Sequence, residues 1–446
     1  MRRLKEAVRP YYLRWLYFPL RPGQRPHAFR ACWQYPFEKL RSPESLTDHE
    51  KRWSVLLTGQ PVLLFYPMTD WHTRIQRTQH LVRAFARQGF RCIYVNPHLG
   101  REFETTPLFD PDHRLSHIEK NIFELHIRLP REPVFHDRLL TREEEALVYS
   151  VVQQILPAGA PVIQMLSFPL WLDVARRFRE EAGFPIVYDC HDLLSGFANI
   201  GREIISAEQE LLRQADLVLF SAQGLLNQYG AGLKRAILVR NAVDAGLFRH
   251  ERPEDHRPQN AMVCATVGYV GALDSWFDIE AVREAALAYP KCRFVLAGHI
   301  EYKPIRKLAA LRNVEFLGET PYHCVPELLA GFQVALIPFH ITPLTLMTNP
   351  IKMYEYFSCG LPVVTTPLPE AQSMGDLVYL ASTPTDFARQ VGHALAEEDP
   401  GRRMRRRDIA LLESWDARAR DISDEFQSLG QQAGQAARYR VNPQED

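Results

Sequence analysis

The chain reads as an α/β protein with two parallel-sheet domains in succession, and three features of the sequence say so. Short apolar runs alternate with amphipathic helical stretches from residue 61 to 240. A polar, proline-containing break comes next at 241–260, and the same alternation then restarts and runs to 402. Apolar strands separated by helices are the signature of βαβ units and hence of a parallel sheet. Two such runs also suit the length, since 446 residues exceed what one ordinary core holds.

PVLLFY at 61–66 reads as the first buried strand, residues 73–88 as an amphipathic helix, and 91–95 as the next strand. Residues 97–140 are less regular and rich in Pro, His and Arg, which predicts an excursion from the sheet. Further strands are expected at 161–166, 184–189, 216–220 and 236–240. After the break, which reads as an interdomain linker, they are expected at 263–269, 293–297, 314–317, 333–337, 362–364 and 377–380. Thr383 and Pro384 have the chemistry of an N-cap and first helical residue for a helix over 384–398. A last helix, 403–428, contains Trp415, and the polar residues 431–446 read as a disordered tail. The domain plan is therefore an arm at 1–60, a first domain at 61–240, a linker at 241–260 and a second domain at 261–402. A closing helix at 403–430 and the tail complete it.

Composition narrows the function classes. Apolar residues make up 46% and charged residues 24%, the balance of a folded globular protein. The 53 basic and 53 acidic side chains cancel, which counts against a dedicated nucleic-acid binder. The cysteines (Cys32, Cys92, Cys190, Cys264, Cys292, Cys324, Cys359) are odd in number and form no CxxC pair. That pattern predicts free thiols in a reducing cytoplasm, with neither a zinc site nor a disulfide framework. No stretch reaches the ~20 apolar residues of a membrane span, and the amino terminus lacks the apolar core of a signal peptide.

The arm stands apart. Residues 1–41 carry ten Lys or Arg against Glu6 and Glu38, with aromatic residues between them. Tyr11, Tyr12, Trp15 and Phe18 share a helical face. Such a face fits an anionic bilayer surface, here the inner face of a plasma membrane. It fits equally an arm that wraps the body and buries its aromatics there.

TNPIKMYEYFSCGLPVVTT (348–366) carries the most chemistry. Asn349 can cap a helix that opens at Pro350, leaving free N–H groups and a positive dipole end suited to an anion. Lys352 and Glu355, three apart, share a face of it. Lys352 can meet a diphosphate and Glu355 can accept from a ribose diol, whereas alone they would make an ordinary surface ion pair. Cys359-Gly360 ends the helix before the next strand, which places the pair beside the carboxyl ends of the strands, where open αβ sheets bind ligands.

The string resembles the nucleotide-sugar site of GT-B glycosyltransferases, through Pro350, Lys352, Glu355, Tyr356, Gly360, Pro362, Val363 and Val364, which implies donor contacts at Asn349, Lys352 and Glu355. VGYVGALDSWFDIE (267–280) resembles the opening strand and loop of the donor domain, which implies donor contacts at Gly271, Ala272 and Leu273. FVLAGH (294–299) is similar to its second strand, ending in Gly298, and GETPYHCVPELL (318–329) to the loop that holds the base, with Pro321 and Tyr322. RNAVDAGLF (240–248) resembles the connection between the halves, with Ala242 in place of a glycine. The resemblance covers residues 60–428 and implies two Rossmann-like domains facing across a cleft. It also implies a nucleotide-sugar donor, UDP-linked, used as a substrate with no further cofactor and no metal. One departure matters. Retaining members have Glu-x7-Glu, and the first Glu falls here on Met347. The local form is closer to bacterial exopolysaccharide enzymes, including the inverting glucuronosyltransferase of xanthan assembly.

In the first domain, VYDCHDLLSGF (187–197) sets Asp189, His191 and Asp192 at a strand's carboxyl end. An inverting transferase needs a base for the acceptor hydroxyl. By resemblance that base is Asp192, with His191 second, while a helix-capping Asp is the plainer reading. TDWHTRIQRTQHL (69–81) resembles the Trp-x-x-Arg-x-Gln pattern of related bacterial transferases, which implies acceptor contacts at Trp71 and Arg74. Arg74 could equally be a solvated first-turn arginine. Asp110-Pro111-Asp112 reads as a loop rather than a metal motif, and the run Arg402–Arg407 as a solvated helix face. The expected activity is transfer of a hexosyl group to a hydroxyl of a bacterial glycan or glycolipid. A hydrolysing nucleotide-sugar epimerase and an inactive nucleotide-sugar-binding scaffold share the same fold and remain open at this point.

Overall fold

The computed structural model describes residues 60–69, 71, 74–96, 113–127, 129, 138–248 and 265–432. The expected arm up to residue 59, Asp110-Pro111-Asp112, positions 249–260 of the break and the tail past 432 lie outside these residues. Among the described residues no helix is long and apolar enough to cross a membrane. The chain divides into two compact bodies.

The first body draws on Pro43–Ala245, Thr342–Tyr354 and Ala410–Asp446. Its sheet contains β1 (Val62–Tyr66), β2 (Arg91–Asn96), β3 (His113–Glu119), β4 (Ile122–Ile127), β5 (Val162–Leu166), β6 (Ile186–Cys190), β7 (Leu217–Phe220) and β8 (Ala236–Leu238), in the order β3-β4-β2-β1-β5-β6-β7-β8. All neighbours run parallel except the edge pair β3 and β4. Side chains alternate across a strand, so β1 feeds two cores: Val62, Leu64 and Tyr66 pack on one face, Leu63 and Phe65 on the other. The second face is closed by helix Arg77–Arg87 and by Trp415, Ala419, Ile422 and Phe426 of helix Trp415–Gln432.

Several expectations need correction here. The stretch 97–140 contributes β3 and β4, joined by Asn121 at φ 64°, and does not leave the sheet throughout. HRLSHIE is too polar to announce a strand, because it forms the sheet edge. The helix expected from 73 starts at Arg77, since the Gln79 side chain accepts from Gln76 N–H at 3.1 Å and donates to Arg74 O at 2.7 Å, holding 74–76 extended. The supposed linker is buried at its start: Asn241, Ala242 and Val243 lie in the first body, where Val243 N–H donates to Glu413 O. The closing helix is two helices, Pro400–Leu412 and Trp415–Gln432.

The second body draws on Gly246–Ile341 and Glu355–Ile409 among its described residues. Its strands are β9 (Thr266–Val270), β10 (Arg293–Ala297), β11 (Val314–Gly318), β12 (Val334–Ile337), β13 (Val363–Thr365) and β14 (Val378–Leu380), in the order β11-β10-β9-β12-β13-β14. Every pairing is parallel. The chain order reverses between β9 and β12, and the carboxyl end of such a switch point is where doubly wound sheets take ligands. Helix Pro384–Leu395 is capped by Thr383, whose side chain accepts from Asp386 N–H. The basic run 402–407 is not simply a solvated face: Arg406 is fully buried, with both guanidinium ends 2.6 Å from Glu397. Burial alone would raise the Glu397 pKa, but the Arg406 pair outweighs it and holds the carboxyl low. Nor are all thiols free, because Cys324 is disulfide-bonded.

Helix Arg202–Gln214 turns one carboxyl into the first body. Glu208 is 3% exposed and accepts from Tyr188 OH at 2.7 Å. Burial pushes its pKa up to about 7, against smaller lowering by Tyr188 and His191. A raised folded-state value means the favourable contribution is full below the unfolded pKa and is lost as pH rises through 7. Glu208→Gln should therefore stabilise the protein at pH 8, by up to about 3 kcal/mol. Urea unfolding of both proteins at pH 5 and pH 8 measures this, and a gain that does not grow with pH would refute the buried-acid account.

Candidate active site

In the second body the loop after β9 and the loop after β10 lock together. Gly271 N–H donates to Ala297 O and Leu273 N–H to His299 O, each at 2.8 Å. Gly298, at φ 150°, lies against this loop so closely that a Cβ there would sit 1.8 Å from Gly271 O. Only glycine permits the approach. Leu273 is fully buried with its N–H committed, so the expectation that it contacts a ligand gives way to an anchoring role. Gly271 and Ala272 remain half-buried at the rim of the loop. Tyr356 supports the same place from behind, its hydroxyl accepting from Val270 N–H at 2.9 Å.

Tyr356 belongs to helix Ile351–Ser358, and Gly360, at φ 67°, ends that helix. The division between the bodies falls within the helix, between Tyr354 and Glu355. Lys352 is half-buried and Glu355 only 6% exposed. Asn349 does not present itself to a ligand as expected. Its Oδ1 accepts from Asn241 N–H at 3.0 Å, its Nδ2 donates to Tyr354 OH at 3.0 Å, and its carbonyl accepts from Asn241 Nδ2 at 2.5 Å. The side chain, 2% exposed, fixes the approach to helix Ile351–Ser358 within the first body. Met347 packs on the apolar core of that body, its sulfur crowding Gly224, in the place where a retaining enzyme would carry a carboxylate. Pro321 is exposed, at the start of the single turn Tyr322–Cys324, and the Tyr322 ring meets Phe248 edge-on at 5.8 Å.

The candidate base sits just beyond β6. Asp192 keeps 27% side-chain exposure, and its Oδ2 lies 3.7 Å from His191 Nε2. His191 Nδ1–H donates to Asp189 O at 3.0 Å, which leaves Nε2 turned to Asp192. Burial raises the Asp192 pKa above the ordinary carboxylate value; His191 and Arg77 oppose the rise and Asp189 adds to it. A carboxylate shifted in this direction is a better proton acceptor near neutral pH.

The acceptor-side expectations fare less well. Trp71 is 5% exposed, meets Tyr94 edge-on at 5.0 Å and carries Arg83 over its face at 4.8 Å. It is a core residue. Arg74 is half-buried in the extended segment ahead of helix Arg77–Arg87. The side chain that sequence reasoning missed is Arg77, 2% exposed and paired with Asp189. A signal was present: Arg77, Leu81 and Ala84 recur at helical spacing, so a charge falls on the apolar stripe.

Known proteins agree with this architecture. Residues 265–397 match the family model for "Glycosyl transferases group 1". The matched stretch lies in the second body apart from 342–354. TuaH of Bacillus subtilis (strain 168), described as a putative teichuronic acid biosynthesis glycosyltransferase, is 27% identical over 259 residues; the match spans 53% of this chain and 65% of TuaH. Among solved structures, sucrose-phosphate synthase of Thermosynechococcus elongatus superposes with a TM-score of 0.62 at 18% identity, over 84% of this chain and 100% of that one. Anabaena HepE, seen with UDP and glucose, gives 0.61 at 16% identity, over 83% and 100%. These likenesses establish the GT-B fold.

Gly298→Ala tests the interlocked loops. Its Cβ must displace the Gly271 carbonyl or strain the backbone, costing about 1–3 kcal/mol. Thermal melting should fall accordingly, and an unchanged melting temperature would show that the two loops do not depend on each other.

Proposed function

We propose that this chain transfers a sugar from a nucleoside diphosphate-sugar, UDP-linked, to a hydroxyl of a bacterial cell-surface glycan or its lipid-linked precursor. The single observation that carries the reading is the donor segment 348–366. Its helix bears Lys352 and Glu355, and its Tyr356 braces the glycine loop at the switch point of a nucleotide-type sheet. The family match, the similarity to TuaH and the likeness to HepE support the donor class.

In this reading Lys352 and the helix start stabilise charge on the departing diphosphate, an electrostatic task that grows as the glycosidic bond breaks. Glu355 holds the ribose diol, and the Gly271-Ala272 turn lets backbone approach the phosphates. Asp192 takes the proton of the acceptor hydroxyl, with His191 beside it, and Met347 in place of a carboxylate favours inversion. Arg74 is the candidate for an acceptor phosphate. The basic, aromatic arm at 1–41 suits an acceptor presented at an anionic bilayer.

The deciding experiment is a screen of nucleotide-sugars for nucleotide release, with and without a cell-derived glycolipid. Acceptor-dependent release supports transfer. Release with free sugar and no acceptor would make the chain a hydrolysing epimerase, and binding without release would make it a scaffold.

Lys352→Ala should lose a charged hydrogen bond worth about 1.5–3 kcal/mol, and so at least about tenfold in kcat/KM with the fold intact. Glu355→Ala should weaken UDP binding in calorimetry; equal affinity in mutant and parent would remove Glu355 from the nucleotide.

Asp192→Asn keeps the shape but cannot accept a proton, and should cost on the order of a hundredfold or more in rate while UDP binding survives. In the parent, activity should fall as pH drops through the raised Asp192 pKa, above the ordinary carboxylate range, because protonation removes the base. NMR of the product linkage gives an independent check. Retention of anomeric configuration, or near-parental turnover in Asp192→Asn, would discard the assignment.

A further inference from the structure

Arg77 opens helix Arg77–Arg87 and is 2% exposed. Its Nε lies 2.9 Å and 3.0 Å from the two oxygens of Asp189, itself 3% exposed. Its Nη1 donates to Asn241 Oδ1 at 3.0 Å, and the guanidinium carbon lies 6.0 Å from the ring centre of Trp415. Asn241 in turn makes the two hydrogen bonds that fix Asn349, two residues ahead of helix Ile351–Ser358. On the other side, the carbonyl of Asp189 accepts from His191, the neighbour of Asp192. All of these residues belong to the first body. One guanidinium therefore reaches the base loop through one partner and the entry of the donor helix through another.

Stability alone does not call for this arrangement. Removing a guanidinium and a carboxylate from water costs several kcal/mol, and apolar residues of similar volume commonly do as well or better. What an arginine adds is a planar fork that fixes two partners in one plane, which neither a hydrophobe nor a lysine can do. We propose that Arg77 is a positioning residue that sets the Asp192 loop and the Lys352 helix in register for sugar transfer, acting through Asp189 on one side and through Asn241 and Asn349 on the other. It touches neither donor nor acceptor. The inference rests on the proposed transferase activity in its kinetic part and on geometry alone in its structural part.

Arg77→Lys keeps the buried charge and loses the fork, and Asn241→Ala removes the bridge to Asn349. Each should raise the donor KM and lower kcat, with kcat/KM down about tenfold or more, because small misplacements of reacting groups are costly. The double variant should be no worse than the poorer single one, since both break one chain of contacts. Hydrogen exchange of the peptide covering 342–358, on the full chain without substrate, should be faster in both single variants than in the parent. Parental exchange in that peptide together with parental kcat and KM per folded molecule would overturn the inference. So would a loss of melting temperature with kinetics unchanged, which would mark Arg77 as merely structural. If no nucleotide-sugar is turned over by the parent protein, the transferase reading fails, and the exchange measurement alone then decides the coupling.

Discussion

A buried guanidinium organises the first body. Arg77 meets Asp189 at the end of β6, Asn241 at the exit of β8 and Trp415 at the start of the last helix. With Arg77 itself these make four stretches of chain far apart in sequence, and a charge removed from water tolerates few other geometries. His80, one turn along the same helix, stacks on Trp415 at 4.9 Å, and burial together with Arg83 and Arg87 lowers its pKa to about 3. It thus stays a neutral ring, so the apolar side of the joint carries no second charge to compete with Arg77. The last helix is held by a cation, an aromatic stack and the Val243–Trp415 backbone bond, and each fixes a different degree of freedom.

The second body reaches its order by other means. Its loops are set by backbone contact, where Gly298 lets the Gly271 turn lie directly on the next loop and Tyr356 seals the end of β9. The proposed phosphate contact is a main-chain turn whose Gly271 and Leu273 N–H groups are spent on the neighbouring loop, so its part is to let a ligand approach the backbone. Lys352 and Glu355, three apart, share one helix face, where the proposed function has them address the diphosphate and the ribose of the donor.

Much of the fold was legible in the sequence, and the failures share a cause. Strands buried on both faces, such as β1 and β10, announce themselves as apolar runs. The edge hairpin of β3 and β4 does not, since its outward residues include His117 and Glu119. Glycines were legible where the motif named them, although the sequence could not say that Gly298 is needed for its contact with Gly271. Side chains that act through partners distant in sequence were misread. Trp71 reads as an acceptor contact and is core, Asn349 reads as a donor contact and is bonded to Asn241, and Arg77 draws no notice among the other arginines of its helix. Spacing along a helix gives the face a residue occupies, but not the polar group waiting on the other side of that face.

The segment Thr342–Tyr354 owes its place in the fold to such distant partners. It carries the first part of the donor motif, yet Leu344 and Met347 pack on the first-body core, and Asn349 is bonded to Asn241. Met347, half-buried, lies on aliphatic neighbours and beside Gly224, an environment that suits its thioether. Asn349 bonds within the first body and Tyr356 within the second, seven residues and about two turns along the chain. Lys352, nearer Asn349, takes its place from contacts of the first body, and Glu355, next to Tyr356, from contacts of the second.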